Sequence, residues 1–361
     1  MSAPTLLHVH IGGIIPFKQA QILQSALVNR YQAYKAASSS ASPSSTSSRR
    51  EPYPTVLTFT PKPVYTFGRR DPYELIPPDL ISSLLEGRLV RKDRYQTAFE
   101  IPEIAPTLRG GQTTFHGPGS LLIYPIFDLK SPYIRDPQYR PSKTRSLKPN
   151  ERDVGTAIHP DGLDVRAYVK ILESTTIDLL KPWSITGFRT KNPGVWVGHK
   201  DFSNDTVIDP AELRKIAAVG LHLRRNITSF GTALNVHTDL GWFDRITACG
   251  LEGLGTTSMR SVHAIKAQRR MAMSSRPKRS MDHWTHTEDW LKLLGGSWIR
   301  MLANHWVEIF ASRLWGAAHS PQIYKSVRIQ DLELDLDNLK DGGFWKAYAK
   351  GQARKPVERM V

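Results

Sequence analysis

A chain of 361 residues with 40% hydrophobic and 9% aromatic side chains is long enough to bury a sizeable core in one or two domains. It contains no apolar run near the roughly 18 residues needed to cross a bilayer, so no membrane span is expected. Its single cysteine, Cys249, excludes an intrachain disulfide and any multi-cysteine metal site. The net charge of +16 favours encounter with polyanions or acidic proteins.

In chain order, Leu6 to Ile11 reads as a strand and residues 17–36 as an amphipathic helix with Ala20, Ile22, Leu23, Leu27 and Val28 on one side. The first acid is Glu51, and this acid-free start is what a mitochondrial transit peptide shows, although the strand and helix there read as the opening of a domain. The serine-rich stretch 37–52 is of low complexity and is expected to be disordered. Strands are expected near 55–60 and 63–67, a short helix at 79–86, and a buried strand over Leu121 to Phe127. Residues 131–160, rich in Pro, Arg, Lys and Ser, read as an insertion or long surface loop. A helix follows at 162–181, then strands near 184–188, 194–198, 215–223 and 231–236, with a polar stretch at 199–211. The basic, acid-free segment 260–281 reads as a flexible linker, and 282–361 as a helical part. Six of the nine tryptophans lie beyond residue 280, so that part must pack onto something. Strands and helices are interspersed without a strict βαβ rhythm, which predicts a mixed α/β sheet rather than a doubly wound one.

The densest motif is Arg109-Gly110-Gly111-Gln112-Thr113-Thr114-Phe115-His116-Gly117-Pro118-Gly119, which feeds directly into the buried strand at 121. Glycines there allow positive φ and close approach of a ligand to the main chain. A plain turn with a structural histidine is the competing reading. Charge alone would suit nucleic acid, but no zinc-finger spacing or aromatic RNA-binding motif accompanies it, and nucleic acid is not expected as a partner. His116, His222 and His237 lack compact metal-ligand spacing, so no metal is expected. Taken singly, a cysteine is more often a small buried hydrophobe, a lysine before an apolar strand a solvated edge residue, and tryptophans packing. Asn235 and Asp239 read as turn or cap residues.

Three segments in order carry more weight together. The Arg109–Gly119 loop is followed by Lys215-Ile216-Ala217-Ala218-Val219-Gly220, then by Gly231-Thr232-Ala233-Leu234-Asn235-Val236, leading to Arg245-Ile246-Thr247-Ala248-Cys249-Gly250. This pattern, over about residues 6–259, resembles the lipoyl(octanoyl) transferases, in the form found in fungal mitochondria. The resemblance implies a biotin/lipoate-ligase-like α/β fold: a catalytic domain over 1–259 with a mixed sheet flanked by helices, loop insertions and a helical C-terminal region. It implies that Cys249 carries an octanoyl group as a thioester, that Lys215 favours its thiolate, and that Arg109 to His116, Ala218 to Gly220 and Gly231 to Ala233 line the acyl site. It further implies octanoyl-acyl carrier protein as donor, a lysine of lipoyl domains of 2-oxoacid dehydrogenase E2 subunits or of the glycine cleavage H protein as acceptor, a monomer, no cofactor and a mitochondrial address. Ser120 stands where the family usually carries Gln, and Phe230 where a His commonly precedes the Gly231–Val236 segment.

The chemistry is coherent with this. A thiolate is the attacking species, a free cysteine with pKa ~8.5 is mostly protonated near neutrality, and a nearby cation shifts it toward the thiolate. Exchange between thioesters is close to isoenergetic, and final attack by an amine gives an amide, so no ATP is required. The alternatives are an ATP-dependent lipoate–protein ligase of similar fold, a nucleic-acid-binding module and an inactive scaffold.

Overall fold

A computed structural model describes residues 5–40, 50–91, 97–131, 162–198, 212–250, 253–273, 296–315, 324–332, 334–336, 338–339 and 342–353. In chain order the elements are β1 (Leu6–Ile15), α1 (Phe17–Ser40), β2 (Thr55–Pro61), β3 (Val64–Phe67), α2 (Pro78–Leu85), β4 (Arg88–Arg91), β5 (Thr97–Glu100), β6 (Glu103–Pro106), β7 (Thr114–His116) and β8 (Ser120–Ile126). They continue with α3 (Val165–Leu180), β9 (Gly187–Phe188), β10 (Val195–Gly198), β11 (Leu213–Arg224), β12 (Ile227–Asn235), β13 (Gly255–Thr256), α4 (Met259–Met273), α5 (Gly296–Trp315), β14 (Tyr324–Ser326) and α6 (Gly342–Ala353).

The main sheet has the order β14-β1-β2-β8-β12-β11-β10-β9, with β13 alongside β11. It is mixed: β14, β1 and β2 run parallel, β8 turns antiparallel to both β2 and β12, and β11 forms an antiparallel hairpin with β12. Every residue of β2, β8 and β12 is buried, so these central strands are covered on both faces. The cover comes from helices. α1 places Ala20, Leu23 and Leu27 in the core, while Trp306, Phe310 and Leu314 of α5 enter the same core beside Leu172 and Leu179 of α3. A smaller sheet, β6-β3-β7, carries a second core of Tyr65, Phe67, Leu84, Phe115 and Trp242.

Two expected boundaries move. Helix α1 runs on to Ser40, and within it the hydroxyls of Ser38 and Ser39 donate back to the carbonyls of Tyr34 and Lys35 at 2.9 and 2.8 Å. Disorder expected from residue 37 is therefore corrected for 37–40. At the other side of the Ser-rich stretch, Glu51 and Pro52 are buried, while 41–49 lie outside the described residues. The basic segment expected to be flexible is helical through Met273. Ser258 caps that helix, its hydroxyl accepting the Ser261 N–H at 3.2 Å, Met259 is buried at its start, and Arg, Lys, Gln, Ala and Met are all good helix formers. Of the insertion expected at 131–160, Ser131 is described and buried; the rest of it, the stretch 199–211, and residues 274–295 with Trp284 and Trp290 lie outside the described residues. Among those described, Trp306 and Trp345 are fully buried.

Candidate active site

The loop between β6 and β7 is built inward from Arg109. Its guanidinium is buried and donates to backbone carbonyls: Nη2 to Thr66 at 2.6 Å, and Nη1 to Gln112 at 2.9 Å and Gly110 at 3.2 Å. Nη2 also reaches the Thr66 hydroxyl at 2.8 Å. Burial pulls its pKa down, while Cys249, Tyr124 and Asp71 pull it up. The segment after β3 runs beside the loop, Arg69 N–H donating to the Arg109 carbonyl at 2.9 Å and Arg70 N–H to that of Gly111 at 3.2 Å. The fit leaves no room for a side chain at Gly68, where a Cβ would collide with the Gly111 carbonyl. At the far end, the Ser120 hydroxyl accepts the Gly117 N–H at 3.3 Å and meets the Thr238 hydroxyl at 3.0 Å, so serine ties down the loop exit.

Cys249 lies in a tight turn after the 3-10 segment Leu240–Arg245, which Asp239 caps through the Gly241 N–H at 3.0 Å. Its backbone is left-handed (φ 57°), uncommon for a residue with a side chain, and its N–H donates to the Thr113 carbonyl at 2.9 Å. Beyond it the chain returns to the sheet: Gly255 and Thr256 pair with Arg214 and Lys215, and Thr257 N–H donates to the Lys215 carbonyl at 2.9 Å. That return brings Cys249 and Lys215 to one narrow cleft, shared with Thr114, Phe115, His116, Ala218 and Ala233. Its volume is about 10 Å³, room for about one water.

Lys215 is only 8% exposed. Its ammonium donates to the Pro193 carbonyl at 3.2 Å and sits 4.8 Å above the Trp196 ring. The nearby Glu173 carboxylate accepts the Gly194 N–H at 2.8 Å, and burial raises its pKa. His116 stacks on Phe17 and is neutral, its pKa pushed down to about 3 by burial and then by the Arg109 charge.

The remaining sequence-predicted residues serve the walls. Gly110 N–H is bonded to the Leu221 carbonyl at 2.8 Å, and Gly220 lies under the Arg109 side chain. Val219 and Thr232 face each other across the β11–β12 hairpin. A Cβ on Gly231 would strike the Ile123 carbonyl, so this glycine serves the close approach of β12 to β8. The N–H groups of Gly110, Thr113 and Gly117 are already bonded inside the protein, so these three are not offered to a ligand. Phe230 has positive φ (59°), gives its N–H to Gln24 Oε1 at 2.7 Å, and lines a separate cavity of about 530 Å³ with Gln24, Val28, Phe67 and His222. Asn235, Phe243 and Thr256 also line the Cys249 cleft, and sequence reasoning gave them no such place.

Comparison with known proteins bears on this arrangement. Residues 155–274 match the family model described as the lipoyl protein ligase A/B catalytic domain. The "Probable octanoyltransferase" of Schizosaccharomyces pombe is 36% identical over 248 residues, covering 68% of this chain and 81% of that protein. The "Octanoyltransferase, mitochondrial" of Saccharomyces cerevisiae is 33% identical over 211 residues, covering 58% of this chain and 53% of that protein. Among solved structures, the bipartite lipoate protein ligase of Thermoplasma acidophilum is a distant likeness, with TM-score 0.44 at 11% identity, covering 99% of this chain and 95% of that one. With most of the fission-yeast protein aligned at that identity, the chain belongs to the octanoyltransferase family, a family of acyl-transfer enzymes.

Proposed function

We propose that this chain transfers an octanoyl group from acyl carrier protein to a lysine of lipoyl domains, through a thioester on Cys249. The observation that carries the reading is that the chain's single cysteine shares a narrow cleft with Lys215, a buried lysine whose ammonium donates to a carbonyl. The ammonium favours the thiolate and then the developing oxyanion, in surroundings where charge is weakly screened. The Cys249 thiolate attacks the donor's thioester carbonyl, and the carrier's thiolate leaves and takes up a proton. The acceptor's neutral amine next attacks the Cys249 thioester, the amide forms, the Cys249 thiolate leaves, and the amine's proton passes to solvent or to the site. Neutral His116 and the Arg109-braced loop shape the wall against which the acyl carbonyl is held.

The cleft holds no eight-carbon chain as it stands, so acyl binding is coupled to opening of the Arg109–His116 wall. An acidic carrier matches the +16 charge. Mitochondrial residence is supported by relatives named as mitochondrial in two yeasts.

The test is a transfer assay with purified octanoyl-acyl carrier protein and an unmodified lipoyl domain. Octanoylation without ATP supports the reading. Modification that requires ATP and free octanoate replaces it with a ligase.

A further inference from the structure

We propose that Asp71 is a positioning residue for the thiol: its carboxylate clamps the middle of the glycine-rich loop and, through Thr113, holds the backbone of Cys249. This rests on the reading of Cys249 as nucleophile, but the geometry is independent of it. Asp71 ends the turn that follows β3, its own N–H donating to the Gly68 carbonyl at 3.0 Å. That turn is already joined to the loop by the N–H groups of Arg69 and Arg70. Asp71 completes the seam with its side chain. Oδ2 accepts the Thr113 N–H at 2.7 Å and the Thr113 hydroxyl at 2.9 Å, and Oδ1 accepts Gln112 Nε2 at 3.3 Å.

Both residues so held touch the cysteine turn. The Thr113 carbonyl accepts the Cys249 N–H at 2.9 Å. The Gln112 amide covers Gly250, whose positive φ (65°) suits glycine. A left-handed Cys249 followed by a positive-φ Gly250 persists only if its surroundings over-determine it. Asp71 supplies that constraint from across the loop. Hydrogen bonds to an ionised carboxylate are the strong kind. The same carboxylate adds negative charge beside Arg109, whose guanidinium is otherwise answered by carbonyls and one hydroxyl.

The test compares the full-length protein with Asp71→Ala and Asp71→Asn by hydrogen–deuterium exchange, and then by the kinetics of Cys249 acylation from an octanoyl thioester. In Asp71→Ala, exchange at the Thr113 and Cys249 amides rises by at least about tenfold while amides of α3 and β12 stay protected. Acylation falls in kcat, because the thiol is no longer held in one place. Asp71→Asn keeps an acceptor for the Thr113 N–H and recovers most of both losses. Unchanged exchange at Cys249 in Asp71→Ala overturns the proposal. So does an Asp71→Asn protein as defective as Asp71→Ala, which would assign the effect to charge opposite Arg109. A wild-type protein that takes up no acyl group contradicts the thiol reading instead, and the exchange comparison still decides for or against the clamp.

Discussion

Cys249 and Lys215 are separated by 34 residues of chain (249 minus 215), yet a two-residue strand, Gly255–Thr256, brings them to one cleft. Neither residue type signals chemistry alone. What singled them out in the sequence was the family resemblance carried by three glycine-bearing segments in order; one of those glycines, Gly231, packs too closely on Ile123 for a Cβ. Asp71 was not legible for the opposite reason. An aspartate after Gly-Arg-Arg reads as an ordinary turn residue, and its partners lie 41 and 42 positions away. Cys249→Ala is expected to abolish octanoyl transfer with folding unchanged, checked by transfer assay beside a thermal melt. Lys215→Ala is expected to slow acyl-enzyme formation by about 100-fold at neutral pH, the scale of a lost electrostatic partner. Equal rates for Lys215→Ala and wild type in a single-turnover assay would remove the ammonium from the account.

At the scale of elements, long apolar stretches were readable and joints were not. The central strands are continuous hydrophobic runs, as strands buried on both faces must be. The β11–β12 turn was invisible because Arg225 and Asn226 both take positive φ without a glycine between them. The β4–β5 ribbon was missed because Leu89 and Phe99 face each other in the outward direction, at 69% and 63% exposure, so no buried stripe marks it. Two elements bear on pH. His8 and His10 of β1 share the Thr58 hydroxyl at 2.8 and 2.9 Å. Burial, with the charge of Arg300 on α5, pushes their pKa values down to about 3 and about 4 from 6.5. His116 of β7 is pushed down to about 3. The unfolded chain takes up these protons near pH 6.5 and the folded chain resists until near pH 4. The stability they contribute is therefore whole above pH 6.5 and is lost on acidification through that window, at roughly 1.4 kcal/mol per pH unit for each histidine. Urea unfolding at pH 7.5 and pH 5 is expected to show this fall, and His8→Gln is expected to flatten it. An unchanged slope in His8→Gln would place the acid sensitivity elsewhere.

At the scale of the whole molecule, the proposed reading has the charge of +16 steer an acidic protein donor without choosing a binding pose. The KM for octanoyl-acyl carrier protein is expected to rise with ionic strength, while that for octanoyl-pantetheine, an uncharged donor, stays nearly constant. Equal salt responses for the two donors would mean that charge plays no part in docking. The C-terminal part belongs to the same body: α5 lies against α3 and β1, and Trp345 of α6 is buried in the main core. Removing residues from 296 onward is therefore expected to expose the β1 edge and yield insoluble protein, checked by solubility and a melt of the truncated chain.

The central claim is that one sulfur atom holds the acyl group between two partners. Intact-protein mass spectrometry after mixing with octanoyl-acyl carrier protein, in the absence of acceptor and ATP, reads this directly. The account predicts a gain of one octanoyl group on the wild-type chain, released by hydroxylamine and absent in Cys249→Ala. A wild-type chain that stays unmodified while still octanoylating a lipoyl domain would contradict it.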